Sequence, residues 1–411
     1  MKITVIGGGV IGLSCSLYLV RSGHKVTLLE RSVRRDAASW GNAGHVATEQ
    51  VAPLASVATL RSAAGRLFVC GGALDLPLAG VGTWLPFALR MIAASRPARF
   101  EKGKRALGAL LAEALPAWHR LVATISAPAL LSDAGHCLVW ESAATAAAGR
   151  AAWAVADTGT ARFAEASAEQ HAVLAKITTA PVAGAICFSG TAQVTDLDAL
   201  ATALSHAFCA AGGKIREWDA DLVLEDGRAV VPGLDSDRVL VTAGVRSGPL
   251  VEAIGHRAPI VAERGYHIRG TATRWPADMP PVVFEDRSMI VTRFADQVQA
   301  ASFVEIHATD APPDPRKWER LERHVRELGL AIDEPFTRWM GARPTLPDYL
   351  PAIGRSRRAD NLFYAFGHQH LGLTLAPVTA EIVAAMVDDM PERIDMTPFD
   401  LERFGGKGGK R

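Results

Sequence analysis

The sequence is poor in cysteine and in net charge, and each shortage excludes a class of protein. Its five cysteines (15, 70, 137, 187 and 209) are scattered and form no Cys-x-x-Cys pair, which predicts reduced, buried thiols in a protein facing the cytosol. The formal net charge is only +1, so there is no electrostatic footprint for nucleic acid. No run of 18 or more uninterrupted apolar residues occurs, so no membrane span is predicted; peripheral membrane contact stays open.

What the chain does have is length and apolar content. It has 411 residues, of which 49% are apolar and 21% are charged, so it can build a sizeable core and favours two domains. The last stretch, residues 405–411, is rich in glycine and lysine and is predicted to be disordered.

The first thirty residues carry the most informative pattern. A short apolar strand, residues 2–6, leads into Gly7-x-Gly9-x-x-Gly12, with Val10 and Ile11 between the last two glycines. An apolar helix follows, and a second strand ends at Glu30. This is a complete βαβ unit with a dinucleotide-binding fingerprint.

Each part of this unit has a physical role. Gly7 permits the tight turn, Gly9 lets a pyrophosphate approach the backbone, and Gly12 lets the helix pack close to the strand. The helix start offers free N–H groups to phosphates, while Glu30 stands where a ribose hydroxyl needs an acceptor.

Three later stretches suit the walls of the same site. Small residues and an amide at 39–45 suit a loop against a cofactor, although an ordinary turn would explain them as well. The strand 238–244 ends in a tight glycine turn, where a doubly wound sheet borders its ligand crevice. The glycine loop at 367–374 opens an apolar helix and offers a second set of backbone donors.

Other regions predict a second, substrate-side domain. Residues 258–310 have the pattern of antiparallel strands, and 315–328 that of an amphipathic helix whose charges form a solvated face. Residues 50–150 are less regular and partly helical, and they show no chemistry of their own.

Taken together, these blocks resemble the flavoproteins related to D-amino acid oxidase, most closely the bacterial D-amino acid dehydrogenases and glycine oxidases. The matching pieces run in the family's order over residues 1 to about 390. They are residues 5–12, Asn42-Ala43-Gly44, residues 241–244, Glu263-Arg-Gly-Tyr266, Trp339 to Pro344 with Pro347-Asp348, and residues 367–377.

The resemblance implies an α/β fold: a Rossmann-type FAD-binding domain plus an α+β substrate domain with a mixed or antiparallel sheet. The FAD-binding domain is expected to comprise residues 1–50, 155–255 and 340–411, and the substrate domain residues 51–154 and 256–339. The residues expected to hold FAD are Gly7, Gly9, Val10, Ile11, Gly12, Glu30, Arg31, Ser39, Asn42, Ala43, Gly44, His45, Ala243, Gly244, Gly367, His368, Leu371, Gly372, Leu373 and Thr374.

Three residues are predicted to act on the substrate. Arg343 would bind its carboxylate with two parallel hydrogen bonds, the role that the resemblance gives this Arg-Pro motif; a structural pair with Asp348 is the alternative. Tyr266 could place its hydroxyl over the substrate or be an ordinary strand tyrosine. His370 would contact flavin or substrate, and no metal site is predicted at His368 and His370, which lack a nearby cysteine or acid pair.

The chain also departs from the family pattern. Gln299 and Ser302 replace an arginine and a glycine of the dehydrogenases, and His370-Leu371 stand where glycine oxidases have Arg-Asn. These differences concern the identity of the substrate and leave the class unchanged.

The resemblance implies oxidation of a D-amino or cyclic D-imino acid, such as D-proline or hydroxy-D-proline, by hydride transfer from Cα to flavin N5, without a dedicated general base. Electrons would pass to a quinone or other carrier in the cytoplasm or at the inner face of the bacterial membrane. An oxygen-using glycine, sarcosine or D-amino acid oxidase, a partner-dependent flavin-binding subunit and, more weakly, an NAD-dependent dehydrogenase are the alternatives. The oligomeric state is left open.

Overall fold

The structure is a computed structural model that describes residues 1–32 and 35–405. The tail predicted to be disordered therefore lies, beyond Gly405, outside the described residues. Within them the helices are α1 (Val10–Arg21), α2 (Val57–Ser62), α3 (Val81–Ala94), α4 (Pro97–Thr124), α5 (Ala143–Val155), α6 (Ala168–Ile177), α7 (Leu197–Ala210), α8 (Ser247–Ala253), α9 (Pro315–Glu327) and α10 (Gly372–Val387). The strands are β1 (Lys2–Ile6), β2 (Lys25–Glu30), β3 (His45–Val46), β4 (Leu74–Asp75), β5 (Leu131–Ser132), β6 (His136–Trp140), β7 (Arg162–Glu165), β8 (Gly184–Ser189), β9 (Ala192–Val194), β10 (Lys214–Glu217), β11 (Val223–Glu225), β12 (Arg228–Val230), β13 (Arg238–Val241), β14 (Val261–Thr271), β15 (Val282–Phe284), β16 (Met289–Phe294), β17 (Gln297–His307), β18 (Asp333–Thr345), β19 (Ala352–Arg355) and β20 (Leu362–Phe366).

The first sheet is the dinucleotide-binding sheet that the opening residues predict. Its strand order is β10-β2-β1-β13-β20-β19, and all pairs are parallel except β19 with β20. Helices α1, α4, α7 and α10 bury their apolar residues in one core on this sheet. The predicted β1-α1-β2 unit is confirmed, because the buried strands are adjacent and parallel and the helix crosses between them.

The second sheet is mixed, as the fold class requires. Its order is β18-β14-β17-β16-β15-β6-β8-β7, with β4 beside β17, and most pairs are antiparallel. Only β15 with β6 and β17 with β4 run parallel. The α/β class with a Rossmann-type domain and a second mixed sheet is thereby confirmed.

Three elements lie on the other side of the domain division drawn from the sequence. Strands β7 and β8 fall inside the 155–255 segment but pair into the second sheet. Helix α4 falls inside the 51–154 segment but packs against α10, and Trp118 of α4 donates to the carbonyls of Leu373 and Thr374 at 3.2 and 3.1 Å. Their partners are distant in sequence, so local patterns did not reveal them.

The prediction for the cysteines was wrong in part. Cys137 and Cys187 face each other on the paired strands β6 and β8 and form a disulfide, with their Cα atoms 4.1 Å apart. Cys15 is buried as predicted, but Cys70 and Cys209 are exposed. The fifty-residue separation of the disulfide pair hides it from spacing rules.

In the part of the chain that the structure describes, one helix is long and apolar enough to cross a membrane by length and composition alone. It is the span Gln369–Val387, which includes α10, and 67% of its most apolar window is buried inside the protein. The pair Leu78–Ala94 and Pro97–Thr124 passes the same test only when taken together, and it is bent by 90°. A buried helix of this kind is typical of a protein core, and α10 packs on α1 and α4 accordingly.

Candidate active site

A cavity of about 1100 Å³ lies where the first sheet meets the second. Its walls come from the β1–α1 turn, the loop 36–50, the end of β13, strands β14 and β18, and the start of α10. Ligand cavities for drug-sized molecules measure roughly 300–1000 Å³, so this one has room for a dinucleotide and a further small molecule.

The β1–α1 turn forms one end of the cavity and is built on glycine. Gly7 has φ +108°, a conformation that side chains resist, and a Cβ on it would lie 2.7 Å from Ala243 Cα and the Thr242 carbonyl oxygen. A Cβ on Gly12 would lie 1.8 Å from the Gly7 carbonyl oxygen. Gly12 therefore does not line the cavity but lets α1 pack against β1, which is the role predicted for it.

Polar side chains surround this helix start. The backbone N–H of Gly8 donates to the Glu30 carboxylate, and that of Val10 donates to Ser39 Oγ at 3.2 Å. Glu30 thus stands at the end of β2 facing the glycine turn, where the fingerprint places a ribose acceptor.

The second helix start faces the cavity from another wall. Gly367, with φ +77°, turns the chain out of β20, and Gly372 and Leu373 in the first turn of α10 line the cavity. Neither α1 nor α10 has a side chain of its N-cap residue bonded to its first turn. The residues present thus fit a large anionic cofactor, since both helix starts offer backbone donors and a positive dipole end.

Substitution of Leu373 by proline tests the second helix start. Proline is tolerated at the beginning of a helix but removes the N–H, so we expect Leu373→Pro to purify with much less FAD per chain, measured from absorbance at 450 and 280 nm. Leu373 is buried, so Leu373→Ala is the control: it loses packing but keeps the donor. Equal FAD content in the two variants would show that this N–H does not hold the cofactor.

Most of the predicted FAD-binding residues line this same cavity. They are Gly7, Gly9, Val10, Ile11, Glu30, Arg31, Ser39, Asn42, Ala43, His45, Ala243, Gly244, Gly367, His368, Gly372 and Leu373. Gly12, Gly44, Leu371 and Thr374 do not line it.

The residues outside the cavity wall support it. Gly44 has φ +75° and packs so tightly that a Cβ would lie 2.7 Å from the Phe294 ring. Thr374 Oγ1 accepts from the Ala47 N–H at 2.9 Å and joins α10 to the loop 36–50, and Leu371 is buried in the core. His368 touches the cavity, but its Nε2 lies 3.1 Å from Thr379 Oγ1, and burial lowers its pKa to about 3.

Arg343 lies in the cavity wall and is held by an acid that the sequence analysis did not identify as its partner. Its Nη1 donates to Glu263 Oε1 at 3.0 Å, and its side chain remains 28% exposed to the cavity. Asp348, the partner weighed for it, pairs instead with Arg403 at 2.7 Å. Among the described residues, the Nε and Nη2 atoms of Arg343 have no hydrogen-bond partner, so this edge of the guanidinium can meet a ligand.

Glu263 is buried and itself held in place. Its second carboxylate oxygen, Oε2, accepts from Thr345 Oγ1 at 3.2 Å and from the Tyr349 hydroxyl at 3.3 Å. Glu263 and Arg343 are neighbours because β14 and β18 pair in a register that sets them opposite each other. This register joins positions eighty residues apart, so no local signal in the sequence could have shown the pair.

His370 lies beside this pair, in the short turn before α10. His370 lines the cavity. Burial lowers its pKa, the negative charge of Glu263 raises it, and the positive charge of Arg343 lowers it further, with burial the largest of these effects. Its imidazole is therefore neutral at neutral pH and can accept or donate a hydrogen bond at the site.

The hydroxyl of Tyr266, predicted to lie over the substrate or to belong to an ordinary strand tyrosine, is hydrogen-bonded within the protein. It donates to Glu305 Oε2 at 2.6 Å and receives hydrogen bonds from Arg264 and from the Asp314 N–H. These partners belong to a buried group of charges under α9. Tyr266 lines the cavity, while its hydroxyl is bonded to Glu305.

Several other groups of the site were not predicted. Trp339 stacks on His267 with ring centroids 4.8 Å apart, and its ring covers Gly41. Gln299, noted only as a departure from the family, donates from Nε2 to the Asn42 carbonyl at 3.0 Å and accepts from Arg269 at 2.9 Å. Gln299 thus ties the second sheet to the loop 36–50.

An ionisable cluster forms a further part of the wall. His45 Nε2 lies 3.1 Å from Glu49 Oε1, and the His45 and His136 ring centroids are 4.4 Å apart. Burial raises the pKa of Glu49, but the interactions with His45 and His136 outweigh burial and lower this pKa to about 2. The pKa of His136 is itself lowered by burial, to about 3. His45, one of the residues expected to hold FAD, is thus paired with a buried carboxylate.

Comparison with known proteins decides the family. The sequence model described as FAD dependent oxidoreductase matches residues 2–386. This chain belongs to that family. The expected cofactor, FAD, is thereby confirmed, as is the resemblance to D-amino acid oxidases and dehydrogenases.

Individual relatives cover the chain from end to end. A D-amino-acid oxidase of Bradyrhizobium diazoefficiens is 28% identical, covering 98% of both chains. A D-amino acid dehydrogenase 2 of Ralstonia nicotianae is also 28% identical, covering 98% of this chain and all of the relative. The crystal structure of glycine oxidase from Geobacillus kaustophilus superposes with a TM-score of 0.71 over 98% of this chain at 19% identity, which supports the fold.

Proposed function

We propose that this protein oxidises a D-amino or cyclic D-imino acid at its α-carbon and passes the electrons to a quinone or other carrier. One observation carries the proposal: Arg343 presents a free guanidinium edge to the cavity that both helix starts face. The names of the relatives, D-amino-acid oxidase and D-amino acid dehydrogenase 2, support the substrate class.

The FAD would be held by the two helix starts and the loop between them. Gly7 to Ile11 and Gly372-Leu373 would supply backbone donors to its charged groups, Glu30 an acceptor for its ribose, and the loop 36–50 the wall against its ring. When bound, FAD supplies the acceptor for the hydride that leaves the substrate's α-carbon.

The chain's own groups would orient the substrate. Arg343 is permanently charged and planar, so it would bind the carboxylate with two parallel hydrogen bonds and fix the α-carbon in the cavity. Glu263 would hold the guanidinium through Nη1 and leave its other edge to the ligand. Neutral His370 interacts electrostatically with both Glu263 and Arg343, and it would contact the amine or carboxylate of the bound amino acid.

A second candidate is an oxidase that passes the electrons to oxygen. The name of the Bradyrhizobium relative favours it, since that protein is called an oxidase at the same identity as the dehydrogenase. The two candidates share every group described above and differ only in the electron acceptor.

One experiment tests the proposal. The purified flavoprotein is mixed anaerobically with D-proline, cis-4-hydroxy-D-proline, D-alanine, glycine and sarcosine, and the flavin absorbance near 450 nm is followed. We expect bleaching by at least one D-amino or D-imino acid and none by its L-enantiomer. Peroxide formation in air would then identify the oxidase, and dye or quinone reduction without peroxide the dehydrogenase. No bleaching by any member of the panel would contradict the proposed substrate class.

A further inference from the structure

Three side chains of the kinds that bind metal ions meet in the wall of the cavity. His45, Glu49 and His136 each offer one nitrogen or oxygen atom, and these atoms all lie within 4.8 Å of one another. All three residues line the cavity, which gives an ion a path to them. Two imidazoles and a carboxylate are ligands that suit zinc and similar divalent transition-metal ions.

The three side chains come from distant parts of the chain. His45 lies in β3, Glu49 follows it in the loop 36–50, and His136 begins β6. Strands β8 and β9 are consecutive in the chain; β8 pairs with β6 and β9 with β3, which brings the two histidines together. An ion bound by all three residues would therefore join the loop 36–50 to the second sheet.

The group also contains buried polar atoms without a partner. Among the described residues, His45 Nδ1 and Glu49 Oε2 are buried and form no hydrogen bond. The Glu49 side chain is only 3% exposed, and within the described part of the chain it forms no ion pair with a lysine or an arginine. Since a buried carboxylate is costly without a compensating charge, a cation is the ligand that this group lacks.

The spacing of the group suits one small ion. Ligand atoms bound to the same tetrahedral zinc ion lie roughly 3.4 Å apart, as its bond lengths of about 2.0–2.2 Å require. His45 Nε2 and Glu49 Oε1 are 3.1 Å apart. No other distance within the group has to shorten by more than about 1.5 Å, which small rotations of the side chains can supply.

His136 is held as metal-binding histidines usually are. Its Nδ1 lies 3.0 Å from the Thr191 hydroxyl oxygen, and its ring stacks on Phe188 with the ring centroids 4.4 Å apart. A histidine that binds a metal ion through one ring nitrogen usually forms a hydrogen bond with the other, which fixes the ring. These contacts leave Nε2 of His136 for the ion.

We propose that His45, Glu49 and His136 bind a divalent transition-metal ion of the Zn²⁺ type, which stabilises the contact between the loop 36–50 and the second sheet. Three protein ligands would leave the fourth position of the ion to water from the cavity. Calcium and magnesium fit poorly, because they prefer oxygen ligands and a higher coordination number. The inference does not depend on the substrate proposed above.

The test is titration of the FAD-loaded protein with Zn²⁺ by calorimetry. The protein carries Cys70→Ser and Cys209→Ser, because these two exposed thiols would bind zinc themselves. We expect this parent protein to bind one zinc ion per chain and to gain in Tm, since an ion bound only by the folded chain stabilises it. Mg²⁺ and Ca²⁺ should give no comparable response.

Three variants change the site while preserving its shape. His136→Phe keeps an aromatic ring against Phe188 but loses the ligand, and Glu49→Gln keeps a hydrogen-bond acceptor for His45 but loses the charge. Thr191→Val removes the hydroxyl that orients His136 and should weaken zinc binding by roughly tenfold. The first two variants should weaken zinc binding more than this and abolish the gain in Tm.

His24→Asn is the matched control. His24 also pairs with an acid, Asp388, at 2.8 Å, but it belongs to no group of three possible ligands among the described residues. This variant should bind zinc as the parent protein does, and the FAD content should stay at the parent level in every variant. No zinc binding by the parent, equal loss in His24→Asn, or unchanged binding in both His136→Phe and Glu49→Gln would overturn the proposal.

Discussion

Replacement of Lys317 by methionine should destabilise the protein by about 3–5 kcal/mol, the range measured when one partner of a buried ion pair is removed. The Lys317 side chain is fully buried at the start of α9, and its amine contacts Asp75, Asp314 and Glu305 at 2.7, 3.0 and 3.1 Å. Methionine fills a similar volume, so the loss would come from leaving the carboxylates without their cation. The measurement is the change in unfolding free energy from urea denaturation of the FAD-loaded protein.

The neighbouring residue supplies the control for this prediction. Arg316 also pairs with Asp314, at 2.8 Å, but its side chain is 67% exposed. An exposed ion pair contributes about 0–1 kcal/mol, so Arg316→Met should change stability by no more than that. Similar losses of unfolding free energy in both variants would show that the burial of Lys317 does not increase its contribution to stability.

Lys317 also shows which features of α9 could not be predicted from the sequence. The pattern of 315–328 correctly predicts an amphipathic helix, which the structure places at Pro315–Glu327. Its charges were expected to face solvent, yet Lys317 turns inward to meet acids from β4 and β17. Amphipathicity identifies the helix and its apolar face, but a charged residue is buried only when distant strands bring its counter-ions.

The residues of the candidate site also fall into those that the sequence could predict and those that it could not. Positions set by local backbone geometry could be predicted from the sequence. Gly7 and Gly12 pack as expected within one βαβ unit, and Glu30 faces the glycine turn, while its contact with a ribose stays a prediction. Contacts that depend on pairing between strands were missed. Glu263 meets Arg343 only through the register of β14 and β18, and the Tyr266 hydroxyl meets Glu305 only through that of β14 and β17.

Arg343→Lys should lower kcat/KM for an active D-amino acid by roughly 10- to 150-fold, equivalent to about 1.5–3 kcal/mol for a charge-assisted hydrogen bond. Lysine keeps the positive charge beside buried Glu263, so the fold and the FAD content should be preserved. It cannot give two parallel bonds to a carboxylate while it also holds Glu263. The measurement is steady-state kinetics with a dye as acceptor, together with the FAD content of the variant.

A second variant, Glu263→Gln, distinguishes a residue that binds the substrate from one that only positions Arg343. Glutamine can still accept from Arg343 with its one amide oxygen, and its NH2 group can donate to the hydroxyl oxygens of Thr345 and Tyr349, but it no longer neutralises the guanidinium. If Glu263 only positions Arg343, this variant should keep a KM close to the native value or lower, since the free charge attracts the substrate carboxylate more strongly. An unchanged kcat/KM in Arg343→Lys, or a greater loss in Glu263→Gln than in Arg343→Lys, would move substrate recognition from Arg343 to another group in the cavity.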